Sequence, residues 1–266
     1  IPFKYFSGLS IIALPIVWVL LVYTALQGNM IDGANASRWI KIPILGLSFQ
    51  TSTLASVVLM VYVARYLSIN KDKDIHFWRS LLVLWLPVLL VIATILPANL
   101  STAALLVALV FVLAFIGGYP KKYLLLMLGT AAVFLTLFIM TAKAYPDAFP
   151  NRVDTWMSRI ESFTGDGDAN TNYQVQRAKT AIATGGVLGK GAGKSVMKNL
   201  LPQSTSDFIY AIITEEYGMV GGLSLLFLYL LLLFRIFMSV YKTEHFFGQL
   251  LIVGVGLPII MQSLVN

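Results

Sequence analysis

Three polar clusters carry the chemical possibilities of this sequence, all between residues 165 and 216. The first, Gly165-Asp166-Gly167-Asp168-Ala169-Asn170, sets two carboxylates on a glycine-rich turn. Glycine lets the backbone turn tightly and leaves such carboxylates exposed. Asp166 and Asp168 therefore suit a general base or a divalent-cation ligand. The plainer reading is a turn whose Asp side chains cap local amides. The second cluster is basic: Arg177, Lys179, Lys190, Lys194 and Lys198, interleaved with Gly185-Gly186 and Gly189-Lys190-Gly191-Ala192-Gly193. Amides in glycine turns beside Lys and Arg suit a phosphate or diphosphate. A solvated face and contact with the outer leaflet are the plainer readings. Gly193-Lys194-Ser195 does not complete a P-loop, because Leu188 stands where the motif needs its first Gly. The third cluster, Ser204-Thr205-Ser206-Asp207-Phe208, opens an apolar stretch, with Ser206 or Asp207 as a natural N-cap. Glu215 and Glu216 follow about two turns later. A carboxylate at membrane depth costs roughly 2.5–3.5 kcal/mol and marks a cavity, partner or pathway. A late helix start would put both at the interface instead.

The elements that must position these residues belong to a membrane protein. Of 266 residues, 58% are hydrophobic and 12% charged, where a soluble domain has roughly 45–50% and about 25%. A water-soluble globule and a disordered tail are thereby set aside. The chain has no Cys, which excludes disulfides and thiolate chemistry, and only His76 and His245 as imidazoles. The net charge of +7 fits loop topology and anionic lipid rather than nucleic acid. A spanning helix needs about 20 mostly apolar residues. Seven stretches qualify: 6–27, 47–69, 79–97, 100–118, 122–142, 208–238 and 247–266. The third and fourth are separated only by Pro97-Ala98-Asn99, a helix breaker followed by a capping residue. Lys4, the segment 65–79, Lys121-Lys122 and the segment 235–245 carry Lys and Arg on one side, which the positive-inside rule makes cytoplasmic. The loop 143–207 then lies outside. It holds 14 of the 31 charged residues, so the polar chemistry concentrates there. With Trp156, Phe163 and an amphipathic stretch from Tyr173 to Thr184, it reads as ordered and lying partly on the membrane surface. The start at Ile1 without an initiator Met, and the end at Asn266 inside an apolar run, read as those of a fragment. Residue by residue, the expectation is an all-α polytopic membrane protein whose large ordered extracytoplasmic loop suits a phosphate-bearing substrate. The reaction type does not follow from spacing.

At this loop the sequence resembles the SEDS family of bacterial cell-wall proteins. The stretches that carry the resemblance begin with Arg159-Ile160-Glu161-Ser162-Phe163 and Tyr173-Gln174, followed by the run from Gly185 to Ser195. Leu201-Pro202, Ser206-Asp207-Phe208-Ile209-Tyr210-Ala211 and Glu215-Glu216-Tyr217-Gly218 continue it. Upstream, Gly33-Ala34-Asn35-Ala36-Ser37-Arg38-Trp39-Ile40 and Phe49-Gln50 match the family's Gly-Ala-x-Arg-Trp and Phe-Gln-Pro-Ser-Glu regions. Departures exist. The family's Gln-Pro-Ser-Glu reads Gln50-Thr51-Ser52-Thr53, losing the Glu, and the Asp-bearing segment before Tyr173 is shortened. These variants are most similar to FtsW proteins of the Bacteroidetes type, with RodA next.

The resemblance implies the SEDS fold, with seven of the family's ten transmembrane helices present, the third through ninth. Residues 1–266 form a single transmembrane domain, and 143–207 its catalytic loop. It implies a peptidoglycan glycosyltransferase of the bacterial cytoplasmic membrane that polymerises lipid II at the outer face, in cell division. The counterpart of the family's essential Asp is Asp168, or else Asp166, as general base. The substrate-binding set is Arg38, Arg159, Tyr173, Gln174, Arg177, Lys190, Lys194, Ser195, Asp207, Glu215 and Glu216. Cations would meet the developing charge of the lipid diphosphate, and a divalent cation, Mg2+ or Mn2+, is compatible with that task. Implied partners are lipid II and the nascent glycan strand, a class B penicillin-binding protein, divisome membrane proteins and membrane lipid. A lipid II flippase and a non-catalytic scaffold that activates the transpeptidase are the competing functions.

Overall fold

The computed structural model describes residues 3–27, 39–42, 47–144, 169–201 and 208–265. Its helices are α1 (Lys4–Gln27), α2 (Thr51–Ile69), α3 (Phe77–Ile95), α4 (Leu100–Ile116), α5 (Lys121–Ala144), α6 (Ala169–Gly185), α7 (Ile209–Lys242) and α8 (Phe246–Val265). Every stretch expected to span overlaps one of them. Among the described residues, five helices, α1, α2, α3, α7 and α8, are long and apolar enough to cross a membrane. The apolar α4 is shorter, with 17 residues. The amphipathic stretch from Tyr173 falls within α6.

One boundary differs from expectation. The stretch 47–69 is not one span: Leu47–Gln50 forms strand β2, antiparallel to β1 (Trp39–Ile42), with Ile40 opposite Phe49. Aromatic and β-branched residues favour such cross-strand pairs. The helix therefore begins at Thr51, and its 19 residues rise about 28 Å.

The chain forms two compact units, residues 1–138 with 236–259 and residues 139–235 with 260–266. In the first, α1 packs on α2 and α3, while α4 packs on α2 and α3. Leu59, Val63 and Leu67 of α2, Trp85 and Val88 of α3, and Leu106 and Leu113 of α4 are buried there. Helix α8 reaches the same core at Gly254, where a Cβ would stand 3.3 Å from Leu113 Cδ2 and 3.5 Å from Met60 Cβ. Three polar side chains in this core pair with one another, as burial favours. Trp85 Nε1 donates to the Tyr119 hydroxyl at 3.1 Å, which shares a 2.6 Å hydrogen bond with Ser80 Oγ. Between α3 and α4, Asn99 accepts from the Thr102 amide at 3.1 Å and caps α4 as its residue type predicts.

Helix α3 carries Pro87, which has no N–H to give the carbonyl four residues back, Val83. The helix widens to a π turn at Leu81–Trp85, and the Tyr62 hydroxyl of α2 donates to the Val83 oxygen at 2.5 Å. Lipid offers no water to such a carbonyl, so a neighbouring helix must supply the donor.

The second unit is built on α6, the short 3-10 turn Met197–Asn199 and the first turns of α7. Ala181, Met197, Leu201, Ala211 and Ile212 form its buried cluster, with Ala178 and Phe208 packed against it. Further along α7, Leu223, Phe227, Leu230 and Phe234 are exposed, which suits a lipid-facing helix.

Candidate functional site

The site grows from an interruption of α7. At Gly218 the backbone leaves helical geometry, with φ 69° and ψ −168°, a region open essentially only to glycine. In an unbroken helix the amides of Met219 and Val220 would donate to the carbonyls of Glu215 and Glu216. The kink orphans all four groups. The loop after α6 satisfies every one of them. The Lys190 amide donates to the Glu215 carbonyl at 3.0 Å, and the Gly191 amide to that of Glu216 at 2.9 Å. In return the Met219 amide donates to the Gly186 carbonyl at 2.8 Å, and the Val220 amide to that of Val187 at 3.3 Å. Buried backbone groups must be paired, so the glycine loop and the kink are two halves of one clasp. A Cβ on Gly189 would strike the Glu216 carbonyl and the Gly218 amide, so the close approach also needs glycine in the loop.

The side chains close the clasp. Glu215 is fully buried. Lys190 Nζ lies 2.6 Å from Glu215 Oε1 and also donates to Thr184 Oγ1 at 3.0 Å. Ser195 Oγ donates to the other carboxylate oxygen at 2.5 Å, and the Met197 amide donates to the same oxygen at 3.3 Å. Ser195 Oγ in turn accepts from the Lys198 amide at 3.1 Å. A buried carboxylate is tolerated when it is paired and its remaining lone pairs are used, and both conditions are met.

Of the residues singled out from sequence, Lys190, Ser195 and Glu215 come together here. Glu216 contributes its carbonyl. Lys194 is exposed on the loop, its amide donating to the Gly191 carbonyl at 3.1 Å. Tyr173 and Arg177 share α6, the guanidinium 4.8 Å from the ring centroid, and Gln174 stands half-buried between them in sequence. Arg38, Arg159, Asp166, Asp168 and Asp207 lie outside the described residues. Sequence reasoning missed Thr184, the Met197 amide and the break at Gly218. A glycine inside an apolar helical stretch is the one signal that pointed to the last. Among the described residues no three of His, Asp and Glu converge. No step below is routed through a metal.

The family model for FtsW, RodA and SpoVE cell cycle proteins matches residues 1–266. The probable peptidoglycan glycosyltransferase FtsW of Hydrogenovibrio crunogenus is 29% identical over 253 residues, covering 93% of this chain and 62% of the relative. The protein so named in Geobacter sp. is 31% identical over 252 residues, covering 93% of this chain and 65% of the relative. The chain thus spans less than two thirds of the length of these relatives. The fold is similar to that of the rod shape determining protein RodA from Thermus thermophilus, with a TM-score of 0.63 at 23% identity over 99% of this chain and 66% of RodA. A chain from a structural study of a peptidoglycan synthase complex gives a TM-score of 0.71 at 24% identity, over 99% of this chain and 70% of that one.

Proposed function

This chain belongs to the FtsW/RodA/SpoVE family of cell cycle proteins, and we propose on that premise that it serves as a peptidoglycan glycosyltransferase acting on lipid II in cell division. Family membership and the five apolar helices make it a multi-pass protein of the cytoplasmic membrane. The observation that carries the proposal is the family match over all 266 residues, which includes the clasp and both its halves. The segment 143–207 faces outward in this reading, since the Lys and Arg of the short loops mark the other side.

The chemistry is transfer of a glycosyl group with inversion at the anomeric carbon. The acceptor hydroxyl loses its proton to Asp168, or to Asp166, as its oxygen attacks. The bond from the anomeric carbon to the diphosphate oxygen breaks. A positioned base contributes roughly 10²–10⁴-fold. The lipid diphosphate leaves without protonation, so fixed positive charge is what it needs. Lys190 is committed to Glu215 and in this reading positions the glycine loop. The exposed Lys194 and the α6 residue Arg177 are the cations left to meet the diphosphate, with Arg159 a third. Ser195 and Glu215 hold that loop against α7. Mg2+ or Mn2+ remains part of the proposal only through Asp166 and Asp168. The partner proposed is a class B penicillin-binding protein, which fits the relative studied as part of a synthase complex.

A flippase would use Glu215 as a free charge within the span. Instead both of its oxygens are occupied by Lys190, Ser195 and Met197, which favours the enzyme. The test reconstitutes the purified full-length protein, with and without its transpeptidase, and supplies lipid II with Mg2+. Glycan strands are read on a gel and lipid II translocation is followed in parallel vesicles. The proposal expects polymer and no acceleration of translocation. Translocation without polymer would assign the flippase, and neither activity alone but stimulation of the transpeptidase would assign the scaffold.

A further inference from the structure

The first unit holds an open cavity of about 410 Å³ that the proposed chemistry does not use. It lies where α1 begins, α2 ends and α8 begins, lined by Phe3, Ser7, Arg65, Ser68, His245 and Phe246 among others. Its volume falls in the range of small-molecule sites, roughly 300–1,000 Å³.

The chemistry of the lining is one-signed. Arg65 Nε is buried and has no hydrogen-bond partner among the described residues, whereas buried donors are nearly always paired. No described Asp or Glu lines the cavity. The Lys71 ammonium stands 4.4 Å from the centroid of the Phe246 ring, adding a second positive charge at the wall. The Phe3 ring lies 5.5 Å from that of His245, so α1 and the turn before α8 close one side. The first residues of the 20-residue α8, Phe246 and Phe247, also face the cavity, and a helix N-terminus favours an anion. Arg65 sits four residues before the end of α2, about 6 Å along the axis. From there an arginine reaches the interface with its stem in apolar surroundings. The positive-inside rule assigns this end of the helices to the cytoplasm.

We propose that this cavity binds a phosphate group, carried by the head of an anionic membrane lipid or by a soluble phosphate compound, with the Arg65 guanidinium as principal donor and Phe3 and Phe246 as apolar walls. The proposal does not rest on the glycan chemistry.

The test uses the full-length protein, wild type and Arg65→Gln, in nanodiscs of phosphatidylcholine with and without phosphatidylglycerol. Lipid retained on release is counted by native mass spectrometry. Inorganic phosphate is titrated into the phosphatidylcholine discs while the melting temperature is followed. A lipid site predicts one tightly retained phosphatidylglycerol on the wild type, and affinity about 10- to 100-fold weaker in Arg65→Gln, as expected for loss of a charge-assisted hydrogen bond. A soluble-phosphate site predicts stabilisation by inorganic phosphate in the wild type alone. Equal lipid retention and equal phosphate response in the two proteins would overturn the proposal. If Arg65→Gln fails to elute as a single folded species, Ser68→Ala replaces it. A several-fold weakening then supports the site, and unchanged binding overturns it.

Discussion

Replacing Glu215 by Gln keeps the size of the side chain and removes one of its two acceptor oxygens. The carboxylate receives Lys190 on one oxygen, and Ser195 and the Met197 amide on the other. An amide cannot serve both sides. With its oxygen toward Ser195 and Met197, its NH₂ faces the Lys190 ammonium. Turned over, the NH₂ faces the Met197 amide. Either way a donor loses its partner at a site that is fully buried on the Glu215 side. An orphaned buried donor costs about 1–3 kcal/mol, and the change from a charged to a neutral acceptor about 1 more. The Lys190 side chain is 32% exposed, so water recovers part of its loss. The net expectation is about 1–3 kcal/mol, felt first by the clasp. Hydrogen exchange of peptides spanning 186–191 and 215–220 reads it directly, because opening the clasp exposes the amides of Lys190, Gly191, Met219 and Val220. Protection should fall by roughly 30-fold at the middle of that range. In a double-mutant cycle, Lys190→Met and Glu215→Gln should couple by about 1 kcal/mol or more. Protection unchanged within about threefold, or strictly additive effects, would show that the clasp does not depend on the Lys190–Glu215 pair.

Two further outcomes follow from backbone accounting. Gly218→Ala places a Cβ against the Val187 carbonyl at a backbone conformation costing about 1–3 kcal/mol for a non-glycine residue. It should lower the melting temperature of the detergent-solubilised protein and deprotect both halves of the clasp, whereas Gly129→Ala, where a Cβ meets nothing within 4 Å, should do neither. Tyr62→Phe removes the donor that answers the Val83 carbonyl and should destabilise by about 1–3 kcal/mol. Restoring the missing backbone donor by Pro87→Ala in the same chain should recover part of that loss, read as the melting temperature of the double variant against the single.

Most of the helical fold is legible from the sequence, because lipid forces one pattern on a spanning segment. The run from Ser80 to Ile95 has almost no polar residue, and the break at Pro97-Ala98-Asn99 carries both its stop and its cap. The pairing of Leu47–Gln50 with Trp39–Ile42 was not legible. Leu47 and Phe49 are as apolar as the helix that follows, and only the partner strand makes them β. Tyr62 answers Pro87 across two helices, a match no local pattern announces. At the site, residue types were informative and partnerships were not. Glu215 stands out as a carboxylate in an apolar stretch, and Lys190 as one cation among several. Their ion pair joins residues 25 positions apart, through a backbone exchange that exists only because Gly218 breaks α7. The arithmetic of α7 fits this. Its 34 residues would rise about 51 Å, well beyond a hydrocarbon core of about 30 Å. The part after the kink is long enough to cross alone, which leaves Glu215 toward the N-terminal end of the span.

The proposed glycosyl transfer depends on an outer-loop aspartate. The most direct measurement is the initial rate of lipid II polymerisation by the full-length protein with its transpeptidase, comparing wild type with Asp166→Asn, Asp168→Asn and the double variant. The expected result is a loss of at least about 10²-fold in one single variant and in the double, with hydrogen exchange across 186–191 and 215–220 unchanged. Full polymerising activity in the double variant would contradict it.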